Sequence, residues 1–164
     1  MFKVNDYVVY GTTGVCQVLD IVEEKDENNK NVQYYILQPV YNNTMKIKTP
    51  VDNDKVLIRE TITKDKVFSL IESMPEQETI WIEDNRKRNE VYKAALRTGN
   101  CQEWIKLIKT LYLKKKEKNA LGKKLMKSDE EIMKAAEKNL HEEFAVVLDI
   151  TPEEVLPFIL KHIS

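Results

Sequence analysis

Residues 86–127 hold 14 lysines and arginines against 3 acidic residues, a local net charge of +11 in a chain of net charge −1. The flanking stretches are acidic: residues 1–60 sum to −2, 61–85 to −4 and 128–164 to −6. Positive charge gathered in this way sets up a local field that attracts polyanions, whatever the total charge. The chemistry on offer is phosphate neutralisation: a row of long cationic side chains on a rigid helix covers regularly spaced phosphates and releases their counterions. Arg86, Lys87, Arg88, Lys93 and Arg97 fall on one expected helix, and positions 86, 93 and 97 recur at i, i+7 and i+11, nearly one face. Lys114, Lys115, Lys116 and Lys118 end the next expected helix, with Lys123, Lys124 and Lys127 in the connection after it. A solvated helix surface would use the same residues, and lysines suit helix C-termini in any case. Both readings stay open at this level.

Trp81 precedes the basic helix. A tryptophan in a connection packs under the loop or, beside phosphate-binding cations, offers a flat apolar ring that wedges at a distorted duplex step. Trp104 belongs to an apolar stripe with Leu107, Ile108, Leu111 and Tyr112 and reads as core. Lys46 and Lys48 project from one face of an expected strand, where they protect an edge or pair with acids on a partner protein.

No constellation for catalysis is present. The only histidines are His141 and His162, and His141-Glu142-Glu143-Phe144 is not a metalloprotease motif. No cluster has metal-ligand spacing, so no metal or other cofactor is expected. Gly11-Thr12-Thr13-Gly14 lacks the Gly-Lys-Ser/Thr ending and the following helix of a phosphate loop. Cys16 and Cys101 lie far apart and read as two partly buried thiols in a reducing compartment, not as a disulfide. A non-enzymatic, cytoplasmic protein is expected, without a signal peptide or membrane span.

The elements that must position these residues are legible from periodicity. Hydrophobic residues make up 42% of 164 and charged residues 32%, a globular composition. Strands are expected over residues 2–10, 14–22, 32–41, 44–49 and 56–59, with a hairpin loop at 23–31 and Pro39 at an edge or bulge. Five short strands in about 60 residues imply a small SH3-like or Tudor-like barrel. Helical periodicity follows over residues 65–74 and 82–98, from an Asn100-x-x-Glu103 cap, from a Ser128-x-x-Glu131 cap and from Thr151-Pro152. The chain therefore reads as α+β: a Tudor-like domain at 1–60 and an all-α domain of about five helices at 61–164.

The opening Phe2-Lys3-Val4-Asn5-Asp6-Tyr7-Val8-Val9-Tyr10, with Gly14-Val15-Cys16, resembles the start of the CarD/CdnL family of bacterial transcription regulators. That barrel is also similar to the polymerase-interacting domain of transcription-repair coupling factors. Lys66-Val67-Phe68, Leu96-Arg97-Thr98-Gly99-Asn100, the run from Ile108 to Glu117, and Leu148-Asp149-Ile150-Thr151-Pro152 resemble family features in the same order and spacing. The resemblance implies a barrel docked on the β-subunit lobe of RNA polymerase, with Lys48 at a basic position of that face and Lys46 beside it. It implies a helical domain on promoter DNA at the upstream edge of the melted bubble. Arg86, Lys87 and Arg88 would match the basic helix, and Trp81 the wedge that slows bubble collapse. Association with the nucleoid through polymerase follows, with no small-molecule substrate. Two features depart from the pattern. The interval from Trp81 to Gly99 is longer by about one helical turn, and Glu24 stands where some members carry an arginine. The other functions left open are a protein adaptor whose lysines are only surface, and a nucleic-acid binder that acts without polymerase.

Overall fold

The computed structural model describes residues 1–163 and divides into two compact units, Met1–Thr61 and the chain from Ile62 onward. In the first unit, strands β1 (Tyr7–Tyr10), β2 (Gly14–Lys25), β3 (Asn31–Pro39), β4 (Ile47–Pro50) and β5 (Ile58–Glu60) form one antiparallel sheet in the order β4-β3-β2-β1-β5. This is the five-stranded arrangement of a Tudor-like β domain. Period-two alternation puts Val8, Cys16, Val18, Tyr35 and Leu37 on the inner face, with Phe2, Ile21, Ile47 and Ile58 packed against them.

Several strand ends differ from those expected, each for a local reason. β1 begins at Tyr7 because residues 3–6 form a turn: Asn5 has φ 78°, and the Asp6 carboxylate accepts from the Lys3 N–H at 2.8 Å. The β2–β3 hairpin is longer than its polar sequence suggests. Only residues 26–30 leave the ladder, where the Asp26 Oδ1 accepts from the Asn28 and Lys30 N–H groups, each at 2.9 Å. The cross-strand ladder thus overrides the charged sequence of Glu23 and Glu24, which pair with Gln33 and Val32. Pro39 ends β3 opposite Cys16, and β4 pairs only as far as Leu37. Val40 donates to Val15 on the β2 side, so the Pro39 nitrogen faces the side left open by β4 and no ladder bond is lost.

The second unit contains α1 (Lys64–Ser73), a 3₁₀ turn at Met74–Glu76, α2 (Asn85–Arg97), α3 (Cys101–Ala120), α4 (Lys127–Leu148) and α5 (Pro152–Ile163). Thr63, Asp84 and Asn100 cap the first three helices, with side chains accepting from Lys66, Lys87, and both Gln102 and Glu103 N–H groups. α3 and α4 form the main packing layer, joined by α1, α2 and α5. Trp104, Leu111, Ala136 and Phe144 are wholly buried there, and the Trp104 Nε1 donates to the Leu96 carbonyl at 3.0 Å. The apolar stripe of α3 is narrower than expected, since Tyr112 is exposed.

Two helix starts are decided by tertiary contacts. α2 starts three residues later than expected, at Asn85, because Asp84 caps it and the preceding carbonyls are bound elsewhere. α4 starts at Lys127 rather than after Ser128, with Met126 as a cap that gives no side-chain bond. Both departures centre on one buried ion pair.

Candidate nucleic-acid interface

Helix α2 has two opposite faces. Arg88 and Tyr92 point inward, while Arg86, Lys87, Lys93 and Arg97 are exposed. Positions 86, 93 and 97 therefore share the outward face that their spacing predicts. Glu90 lies in the same row and approaches Arg86 at 3.7 Å, with both side chains open to solvent. Such a pair is weak, on the order of 0.3–0.5 kcal/mol, and leaves the Arg86 guanidinium accessible.

Arg88 is the correction to the expected set. It is 1% exposed and reaches no external phosphate. Its Nε donates to the Asp129 Oδ1 at 3.0 Å, and its Nη2 to Oδ2 at 2.9 Å, a fork-to-fork pair. Its Nη1 donates to the Ile82 carbonyl at 2.9 Å, and Nη2 meets the Met126 sulfur at 3.3 Å. Asp129 is equally buried, at 1%. A charge taken out of water is tolerated only when its partner and remaining hydrogen bonds are supplied, and here they are.

The same guanidinium fixes the connection that carries Trp81. This segment, residues 77–84, joins the 3₁₀ turn to α2 without forming helix or strand, and other side chains hold it along its length. The Lys109 Nζ donates to the carbonyls of Met74, Pro75 and Gln77 at 3.1, 2.8 and 2.8 Å. The Thr110 hydroxyl accepts from the Ile80 N–H at 3.3 Å and donates to the Lys106 carbonyl at 2.7 Å. The Tyr92 hydroxyl donates to the Ile80 carbonyl. Burial raises the Tyr92 pKa; the Arg88 charge opposes this and the Asp129 charge adds to it, so the phenol keeps its proton and remains a donor.

Trp81 is half-buried rather than projecting. Its ring centroid lies 4.3 Å from the Arg88 Cζ, 4.7 Å from the Lys114 Nζ and 5.8 Å from the Lys118 Nζ. Its Nε1 is buried without a hydrogen-bond partner among the described residues. Cation–π contacts contribute about 0.5–2 kcal/mol each, whereas an unpaired buried donor costs about 1–3 kcal/mol. The ring's position therefore balances opposing terms of similar size. Because Trp81 lies outside α2, its placement follows from these contacts and not from a count of helical turns.

The remaining lysines divide by environment. Lys114 and Lys118 lie over the Trp81 ring, and Lys114 also pairs with Glu117 at 3.4 Å. Lys115 pairs with Glu130 at 3.1 Å; the hydrogen bond and charge of Lys115 hold the Glu130 carboxyl below its usual range. Lys116, Lys123 and Lys124 are exposed.

On the β unit, Lys48 lies in β4 and Lys46 precedes it, both exposed. β4 is shorter than expected and begins only at Ile47, so Lys46 lies just before the strand that carries Lys48. Lys48 forms an ion pair with Glu24 and sits 4.7 Å from the Tyr34 ring centroid. The acidic departure at Glu24 and the basic position at Lys48 are therefore one feature.

The residues not foreseen are Asp129, Tyr92, Lys109 and Thr110. A signal for the inward arginine was present: Arg88, Tyr92 and Ala95 recur at i, i+4 and i+7. Nothing in sequence points to Asp129, which lies 41 positions away. Among the described residues, no three His, Cys, Asp or Glu side chains converge to hold a metal, and no helix is long and apolar enough to cross a membrane.

Residues 2–62 match the family of the CarD-like/TRCF RID domain, and residues 66–159 match that of the CarD C-terminal domain. Together they span nearly the whole chain. No curated protein matches it.

The buried pair makes a direct prediction. Asp129→Leu alone strands the Arg88 charge, and urea unfolding should show a loss of about 3–5 kcal/mol. Arg88→Met combined with Asp129→Leu should recover most of that loss. A double variant as unstable as the single one would mean that the pair's charges do not govern this site.

Proposed function

The chain belongs to the CarD family of RNA-polymerase-interacting transcription regulators, and from that premise we propose that it stabilises open promoter complexes through DNA contacts of its helical unit. The barrel docks on the polymerase β-subunit lobe and brings α2 to the duplex at the upstream edge of the bubble. Tethering raises the local concentration of a weak DNA binder by orders of magnitude without sequence reading. Trp81 acts there as the apolar wedge, and the exposed cations hold the phosphates.

The observation that carries the DNA reading is the position of Arg86 and Lys87. Both lie in the first turn of α2, where the helix dipole is positive and cations are unfavourable. Beyond the weak, solvent-exposed contact of Arg86 with Glu90, local helix stability therefore gives no reason for them. An external anion does. Arg97 and Lys118, in the last turns of α2 and α3, carry no such weight, since the dipole favours them.

A polymerase-binding adaptor without DNA contact is the second reading. It draws support from the internal engagement of Lys114 and Lys115 with acidic neighbours. A flat salt dependence of DNA binding, with unchanged open complexes, would select it.

The DNA reading predicts a steep salt dependence. Arg86→Ala with Lys87→Ala should lower the magnitude of the slope of log K against log salt by roughly 1–2, since each phosphate contact contributes about 0.9. Trp81→Ala should shorten the lifetime of open complexes while polymerase binding is retained; an unchanged lifetime would remove Trp81 from the mechanism. For the tether, Lys46→Glu with Lys48→Glu should weaken binding of the full chain to a β-lobe fragment by roughly tenfold or more, the effect of placing like charges at a contact. Undiminished binding would place the polymerase contact elsewhere on the protein.

A further inference from the structure

We infer that Lys114 and Lys118 are positioning residues that hold Trp81 in a resting site, and that phosphates binding these lysines release the indole. The inference rests on the DNA reading above and adds to it a coupling between backbone contact and indole exposure. Two independent observations carry it. First, the ring is enclosed by three cations: Arg88 is bound to Asp129 and the Ile82 carbonyl, Lys114 has only a long contact to the exposed Glu117 at 3.4 Å, and Lys118 meets the ring face. Lys114 and Lys118 are long side chains on α3, partly open to solvent. Second, the indole Nε1 is buried with no acceptor among the described residues. A native donor left unsatisfied marks a position that the protein holds against a cost. Outside the cage the same N–H would meet water or a base-edge acceptor.

The backbone under the ring is fixed, with Ile80 bonded through both its N–H and its carbonyl and the Ile82 carbonyl held by Arg88. Release is therefore a side-chain movement about a rigid hinge point. A phosphate diester competes directly for the two ammonium groups, because a charge-assisted hydrogen bond to phosphate is stronger than contact with a ring face. Once the lysines turn to phosphate, the balance holding the ring is lost. Phosphate capture and indole exposure then become two readouts of one equilibrium.

Fluorescence of the full chain tests this, because the only other tryptophan, Trp104, is wholly buried with its Nε1 bonded to Leu96. Quencher-accessible emission therefore belongs to Trp81, and Trp81→Phe should abolish it. The probe is linear polyphosphate, which supplies phosphates but no base stack for the ring to enter. Its addition should roughly double the acrylamide quenching constant and shift the emission to the red, as the outward state becomes the populated one. Lys114→Gln with Lys118→Gln should show the raised constant without polyphosphate and no further rise with it. Far-UV circular dichroism verifies that this variant is folded; Lys114→Arg with Lys118→Arg, which keeps the cage charged, should restore the low constant and the response. Polyphosphate binding, read by calorimetry, that leaves quenching unchanged would overturn the inference. So would absence of that binding, or a folded glutamine variant with the original constant. Loss of duplex-DNA binding or of any open-complex effect would instead count against the proposed function, since polyphosphate release of the ring needs neither.

Discussion

The bidentate pair between Arg88 and Asp129 is the constraint around which the helical unit is arranged. It joins α2 to the first turn of α4 and, through the Ile82 carbonyl and the face of Trp81, to the connection before α2. One guanidinium thus fixes three parts of the chain at once. A lysine could not substitute, because its point charge offers no fork for the carboxylate and no flat face for the indole. The pair also accounts for two helix starts. Asp129 must lie in the first turn of α4 to meet Arg88, and the bound carbonyl at Ile82 keeps that residue out of α2.

With one arginine committed inward, the cations left on the surface fall into groups with different physical standing. Arg86 and Lys87 sit against the helix dipole. Lys93 and Arg97 continue their face, whereas Lys114 and Lys118 are turned onto an aromatic ring. A count of positive charge treats these as equal. Their surroundings rank them, and the first group has the least internal support, a weak contact of Arg86 with Glu90. On the β unit the same distinction applies to Lys48, whose charge is shared with Glu24 and the Tyr34 face. A partner at that surface would have to displace or accommodate an existing ion pair, so its affinity depends on more than the lysine.

Much of the fold was legible from residue patterns. Five short strands followed by helices, and the cap at Asn100, were read where Val- and Tyr-rich runs end at turn residues and where a short polar side chain precedes apolar periodicity. The hairpin at Glu23 and Glu24 was harder to read. Their charges suggest a loop, yet strand pairing with Gln33 and Val32 carries them outward into solvent, where charge costs nothing. Tyr112 shows the reverse difficulty: its helical spacing matches the stripe, but it lies past the width of surface that α4 covers and remains exposed. Of the candidate site, the outward row at 86, 93 and 97 follows from the 100° rotation per residue. The place of Trp81 does not, because its neighbours come from α2 and α3.

The sequence by itself determined the class of the protein: a small β domain, a helical domain, net positive charge gathered in residues 86–127, and no constellation for catalysis. These are properties of local period and composition, which a chain expresses wherever it folds. Tertiary structure alone decided which cations are free. Arg86, Lys87 and Arg88 are adjacent and similar in sequence, but a helix turns each to a different side, and only the packed partner at Asp129 makes one of them interior. The state of Trp81 was decided in the same way. Its exposure and its unsatisfied N–H depend on side chains seven to 37 positions away. No local pattern encodes such distances, because they arise from the packing of separate helices against one another.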